Sequence, residues 1–362
     1  MSIIPSLLNP LHMQLQNHLV SMKWYFDKAG SRRFRWIRLE KQEEGTISVR
    51  IAALVEAADG TETWQDFIIK TPFWGGNDLV NDEYELLKVI KGPHIIRRFC
   101  LAGNPLDEDL TIEDTHFPGS YIVLECLENG SLSEFIRRAK VAGVPHLSNR
   151  LLWLMFRCLV SMCVEMEYPE PMVSVTGQDS QQLNNVWDRI PTGFRHPDLS
   201  TNNILMGGYE PGSADHQACP VLKLTSFGRK PLDQQMSEAS KTNAPKQNLF
   251  CVAIIMQYLI ILNDNVTQRK GYFGNPHEAS KETEAGWLIP ALDDGSTWSF
   301  IWLDTELRHL VMHCAATDKD DRPDLRSVWL RIEEIMARQE ASGIADSDRQ
   351  VRLFFQRLAF TL

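Results

Sequence analysis

The chain has 362 residues, 43% of them hydrophobic and 23% charged, which is enough apolar side chain for a sizeable core and too much for a disordered polypeptide. Thirty-seven Lys and Arg stand against 47 Asp and Glu, a net charge of −10 at pH 7, so wholesale gripping of a nucleic-acid backbone is excluded and only a local basic groove remains open. Seven cysteines, at 100, 126, 158, 163, 219, 251 and 314, never form a CxxC pair; they read as reduced thiols, with neither a zinc ribbon nor a disulfide frame. The opening MSIIPSLLNPLHMQLQ lacks basic residues and carries Pro5 and Pro10, a poor signal peptide, and the apolar run Phe250–Leu262 is too short to span a bilayer and reads as a buried core helix. The expected place is the cytoplasm or nucleus, and neither nucleic acid nor membrane is an expected partner.

Residues 1–33 show no firm period and read as an N-terminal extension that folds over the main domain. RFRWIRLEKQ, TISVRIAALVEA and ETWQDFIIK are β-rich, the last two joined at the turn signal Asp59-Gly60. Asn81–Lys91 is helical, with Glu83, Leu87 and Ile90 on one face. Strands are expected around Ile95–Leu101 and Tyr121–Leu127, on either side of a polar loop. Past Asn129-Gly130 comes a short helix, Ser131–Lys140, then a long one capped by Ser148 with a stripe of Leu151, Leu152, Met155, Leu159 and Met162. A polar insertion (168–194) precedes short strands at Ile204–Met206 and Val221–Leu224; helices fill Leu249–Glu340, and an amphipathic tail closes the chain over 341–362.

The segment FRHPDLSTNNIL places a carboxylate, Asp198, five residues before an amide, Asn203, on one loop. Phosphoryl transfer uses such a pair: the carboxylate orients the attacking hydroxyl and the amide oxygen holds a metal on the phosphates. Lys70 ends a strand and Glu83 lies on the next helix, an order suited to a lysine held by a carboxylate so that it reaches α- and β-phosphates. Each residue alone also reads blandly, as a turn-favouring Asp or Asn, a solvated strand-end lysine or a helix-surface glutamate. Downstream stand YIVLECLENGSLSEFI, LKLTSFG and DRPDLRSVWLRI.

In this order the segments resemble the protein kinase superfamily over about Phe34–Glu340, and within it a divergent group of kinase-like proteins from filamentous fungi, which share an insertion before the HxDL loop and an element like Glu167-Tyr168-Pro169. The resemblance implies an α+β, bilobal protein kinase-like fold: a small β-rich N-lobe over 34–127 and a larger helical C-lobe over 128–340. It implies catalytic roles for Asp198, Lys70, Glu83 and Asn203, with Asn203 also the metal ligand. It implies nucleotide-binding roles for Gly45, Ile47, Ile68, Lys70, Leu124 as gatekeeper, Glu125 and Leu127 at the hinge, and Leu205. Leu87, His196 and Phe227 would belong to the regulatory hydrophobic stack, and Arg322 would be the structural arginine between the last two major helices.

The departures from that pattern are chemical. Ser226 stands where the metal-binding aspartate belongs, and a neutral hydroxyl is a poor ligand for Mg²⁺. The glycine-rich loop reads LEKQEEGTI: Glu40 and Gln42 replace glycines, only Gly45 remains, and Glu43 and Glu44 bring negative charge to where phosphates would lie. Ser200 and Pro197 replace a lysine and an arginine, Ile68 crowds the adenine roof, and Ala244-Pro245-Lys246 is a poor APE remnant. The expectation is therefore a pseudokinase with weak or no phosphotransfer, a binding, scaffold or regulatory module for a protein partner, with ATP as its nucleotide and Mg²⁺ weak or absent. The alternative is an active, atypical ATP-dependent Ser/Thr protein kinase, or a small-molecule phosphotransferase, using Asp198 as base on its substrate. His309, His313 and Cys314 have metal-ligand spacing without a further ligand nearby and read as core or interface residues.

Overall fold

Alternating side chains from Phe34 onward produce a five-stranded antiparallel sheet, and helices dominate after it, so the protein is mixed α+β. The computed structural model describes residues 10–24, 26, 34–43, 45–56, 60–73, 76–100, 120–170, 185–210, 216–228, 238–274, 280–289, 300–342 and 348–359. The chain divides into two compact units, one drawn from Met1–Lys88, Arg97–Cys126 and Phe227–Lys230, the other from Val89–Ile96, Leu127–Ser226 and Pro231–Leu362.

In the first unit, helix α1 (Pro10–Trp24) precedes strands β1 (Phe34–Glu43), β2 (Thr46–Glu56) and β3 (Glu62–Pro72), helix α2 (Asn77–Val89), and strands β4 (Arg98–Phe99) and β5 (Ile122–Glu125). The sheet order is β1-β2-β3-β5-β4. Facing residues of an antiparallel ladder point to the same side. The register Ile47↔Thr71, Val49↔Ile69 and Ile51↔Phe67 therefore builds one apolar face, which joins Tyr121 and Val123 and is covered by Leu15 and Met22 of α1 and by Phe26. The N-terminal extension is thus helical where it is described, and it supplies core to the sheet. Ser48↔Lys70 and Ile68↔Leu124 lie on the opposite face.

Two expectations shift here. The expected strand Ile95–Leu101 shrinks to Arg98–Phe99, because its first half hydrogen-bonds elsewhere: Ile96 N–H donates to the Leu224 carbonyl and Leu224 N–H to that of His94. The helix carrying Glu83 begins at Asn77, four residues earlier than its apolar period suggested. Asp59, Glu44, the loop 101–119 and residues 171–184 of the insertion lie outside the described residues.

The second unit holds α3 (Leu132–Val141), α4 (Asn149–Glu167), the β6 (Ile204–Met206) and β7 (Leu222–Leu224) ladder, α5 (Glu238–Ile261), the β8 (Gly271–Phe273) and β9 (Lys281–Thr283) ladder, α6 (Thr305–Cys314), α7 (Leu325–Ser342) and α8 (Asp348–Ala359). Ser131 and Glu134 form a reciprocal capping box on α3, and Ser148 caps α4 through the Leu151 N–H. α4 is buried along nearly its whole length because α5, α7 and β7 surround it. The amphipathic tail is α8, which lays Phe354 and Phe355 on Phe135 of α3.

α5 begins twelve residues before the run Phe250–Leu262 and carries Pro245 inside it, where the ring removes one backbone hydrogen bond. Among the described residues, its stretch Asn243–Ile261 is the only helix long and apolar enough to cross a membrane, and 61% of that stretch is buried within the protein. Arg322, between α6 and α7, is buried; it donates to the Ala316 carbonyl at 2.8 Å, to the Gln247 side chain at 3.0 Å and to the Thr317 carbonyl at 3.2 Å, and lies over the Phe250 ring.

Candidate functional site

β3 delivers Lys70 and α2 delivers Glu83, both within the first unit. Their side chains meet with Lys70 Nζ 2.7 Å from Glu83 Oε2. Glu83 is fully buried, and its other oxygen accepts from the Phe227 backbone N–H at 3.1 Å. Gly228 follows because a Cβ there would stand 2.3 Å from the Leu79 carbonyl oxygen. The β1–β2 turn adds a third charge. Glu43 pairs across the turn with Thr46, Gly45 takes a φ of +80°, and the Gly45 carbonyl accepts from Phe73 N–H at 2.8 Å. This geometry brings Glu43 Oε2 to 3.7 Å from Lys70 Nζ. Burial acts to lower the Lys70 pKa, but the charges of Glu83 and Glu43 outweigh it and hold the ammonium above its ordinary value.

In the second unit the loop between α4 and β6 brings Asp198 and Asn203 together. Asn203 is buried and its amide donates to both the Asp198 carbonyl and Asp198 Oδ2 at 2.8 Å. Asp198 itself is exposed. His196 sets the loop from below: its Nδ1 accepts from the Asp198 N–H at 3.2 Å, so the ring hydrogen sits on Nε2, 3.1 Å from the Thr225 carbonyl oxygen. Asn248 of α5 clamps the backbone on either side, accepting from His196 N–H and donating to the Phe194 carbonyl. Ser226 adopts a φ of +70°, a left-handed conformation that costs a non-glycine residue energy and that Asp, Asn and Gly adopt most readily.

The first-unit residues assigned to the nucleotide do not all share one face of the sheet. Ile68 and Leu124 face each other across the ladder on the Lys70 side of the sheet, and Glu125 follows, its N–H donating to the Arg97 carbonyl. Ile47 is on the other side, fully buried with Phe26, because register puts Ser48 and not Ile47 beside Lys70. Leu127 and Leu205 belong to the second unit.

The ammonium that would take phosphate oxygens already has two carboxylates beside it, and the position after Thr225 offers a hydroxyl where a hard cation wants a carboxylate. The residues present fit Mg-triphosphate poorly.

A second constellation has no signature in the sequence. His94, Cys158 of α4 and His216 are all buried, and their ligand-type atoms lie within 4.8 Å of one another. Glu165, two turns along α4 from Cys158, takes His94 Nδ1 at 2.6 Å and His94 N–H at 2.9 Å. Burial works against charge on His94, but hydrogen bonds to Cys158 and Glu165 outweigh it and push its pKa up to about 10. Burial would likewise raise Cys158, yet His216 and His94 bring its thiol down to about 6. The three residues are 64 and 58 positions apart, so only the three-dimensional structure unites them. His309 and His313, in contrast, are exposed while Cys314 is buried on another face of α6, and they form no such group.

Glu167, at the C-terminal end of α4, is a further buried carboxylate; burial pushes its pKa up to about 7 against the opposing hydrogen bond from the Gly193 backbone. Compared with protein-family models and with curated proteins, the chain matches none.

Proposed function

We propose that this protein is a kinase-like pseudokinase: a bilobal protein kinase-like fold whose nucleotide site does little or no phosphotransfer and which acts as a binding, scaffold or regulatory module for a protein partner in the cytoplasm or nucleus. The observation that carries the reading is Lys70 held between Glu83 at 2.7 Å and Glu43 at 3.7 Å. The sheet order, the strand lysine paired with the helix glutamate and the Asp198–Asn203 loop support kinase-like ancestry. Glu43 supports loss of activity, because a carboxylate stands where incoming phosphate would need an unopposed cation, and Ser226 removes a second source of charge neutralisation. The experiment is a phosphotransfer assay with Mg-ATP on generic protein substrates, with Asp198→Asn as control. We expect no Asp198-dependent transfer. Robust turnover abolished by Asp198→Asn overturns the reading.

One observation favours a second reading, an active but atypical phosphotransferase: Asp198 and Asn203 remain hydrogen-bonded to each other at 2.8 Å. The φ of +70° at residue 226 accepts an aspartate. If this reading holds, Ser226→Asp raises Mg-ATP turnover by orders of magnitude. An inert Ser226→Asp protein that still folds rejects it.

A further inference from the structure

The His94–Cys158–His216 cluster has the composition and construction of a metal centre, independent of any kinase chemistry. Two imidazoles and a thiolate are a ligand set preferred by Zn²⁺, a borderline-soft ion. Bonds of about 2.0–2.3 Å would place tetrahedral ligand atoms about 3.3–3.8 Å apart, a contraction of about 1 Å or more from the widest separation the 4.8 Å limit allows.

The surroundings are built for it. Glu165 accepts from His94 Nδ1, which leaves Nε2 as the ligating nitrogen and gives the carboxylate–histidine–metal arrangement that orients and strengthens a histidine ligand. Glu165 gets that close because residue 92 is glycine: a Cβ there would sit 2.1 Å from Glu165 Oε2. His216 is buried, and among the described residues its Nδ1 has no hydrogen-bond partner, a state that a bound cation or a slight ring rotation onto one would relieve.

We infer that the second unit carries a zinc site whose protein ligands are His94, Cys158 and His216, with Glu165 as the positioning residue on His94. The ion joins three stretches of chain that are remote in sequence: the turn after α2, the middle of α4 and the segment entering β7. An ion held by all three stabilises the folded state by its binding free energy.

The test uses the full chain and Zn²⁺ or Co²⁺ alone as probe. The purified protein is expected to hold one Zn²⁺ per chain by elemental analysis, and a chelator should lower its melting temperature. After exchange, Co²⁺ should show tetrahedral d–d bands and a thiolate-to-cobalt charge-transfer band. Cys158→Ser should abolish that band, and Glu165→Gln should reduce Zn²⁺ affinity about 10–100-fold while leaving the band in place. Cys100→Ser, at an exposed cysteine, should change nothing. A folded wild-type protein that binds neither ion tightly overturns the site without recourse to any variant. So does a cobalt band that survives Cys158→Ser unchanged, since the metal would then lie elsewhere.

Discussion

Glu43 is the residue whose role could be anticipated in sign but not in mechanism. On the proposed reading its charge in a glycine-poor loop repels phosphate; the structure places that carboxylate 3.7 Å from Lys70 Nζ. Removing it should free Lys70 without disturbing the buried Glu83 pair. For Glu43→Ala we expect a larger ATP-induced rise in melting temperature than for wild type, and for Glu43→Ala combined with Lys70→Met no rise at all. Binding stabilises by RT ln(1 + [L]/Kd), about 2.7 kcal/mol at a hundredfold excess, well within reach of a thermal melt. Equal shifts in the wild type and Glu43→Ala would show that the Glu43 pairing is energetically idle.

At the scale of elements, α1 makes the clearest prediction. Met22 is fully buried and, with Leu15 and Phe26, completes the core on the Ile47–Ile51 face of the sheet. Met22→Ala should destabilise the protein by about 2–5 kcal/mol in a denaturant titration, as large-to-small core changes do. A loss under about 0.5 kcal/mol, the range of an ordinary surface substitution, would mean that the helix lies on the sheet without stabilising it. The first three strands of the sheet, the cap at Ser148 and the stripe of α4 are legible in the sequence because each is a local pattern, period 2, period 3.6 or a capping hydroxyl. The capping box at Ser131 and helix α1 are not read from the sequence: residues 1–33 show no firm period, with Pro5, Pro10 and polar residues around Leu15, Leu19 and Met22. Lys70, Glu83, Asp198 and Asn203 were readable as motifs, and the structure pairs them two and two. Ile47 is expected at the nucleotide from motif position alone, which carries no register; the pairing Ile47↔Thr71 puts it on the face away from Lys70. The His94 cluster was not readable at all, since its members share no local spacing.

For the molecule as a whole, pH is a handle on stability through Glu167. Its folded pKa, near 7, lies above that of an exposed glutamate, so between the two values the folded state holds a proton that the unfolded state has released. Stability from this group is therefore greatest below about pH 4.5 and falls as pH rises toward 7. Glu167→Gln should flatten that slope and raise stability at pH 8, on the order of 1 kcal/mol, read from melts across about pH 5–8. An unchanged slope in the variant would assign the titration to another group.

The hydrogen bond from Phe227 N–H to Glu83 has a temporal consequence. Its partners are 144 residues apart, and Phe227 belongs to the unit formed otherwise by residues before 127. At ribosomal rates of about 5–20 residues per second, Glu83 waits roughly 7 to 29 s for that donor. During translation the sheet and α2 leave the exit tunnel with one of the two partners of a buried carboxylate still unmade. The first unit is thus begun early and finished late, and its final closure is set by the passage of the second unit's α4 and β6–β7 ladder through the ribosome.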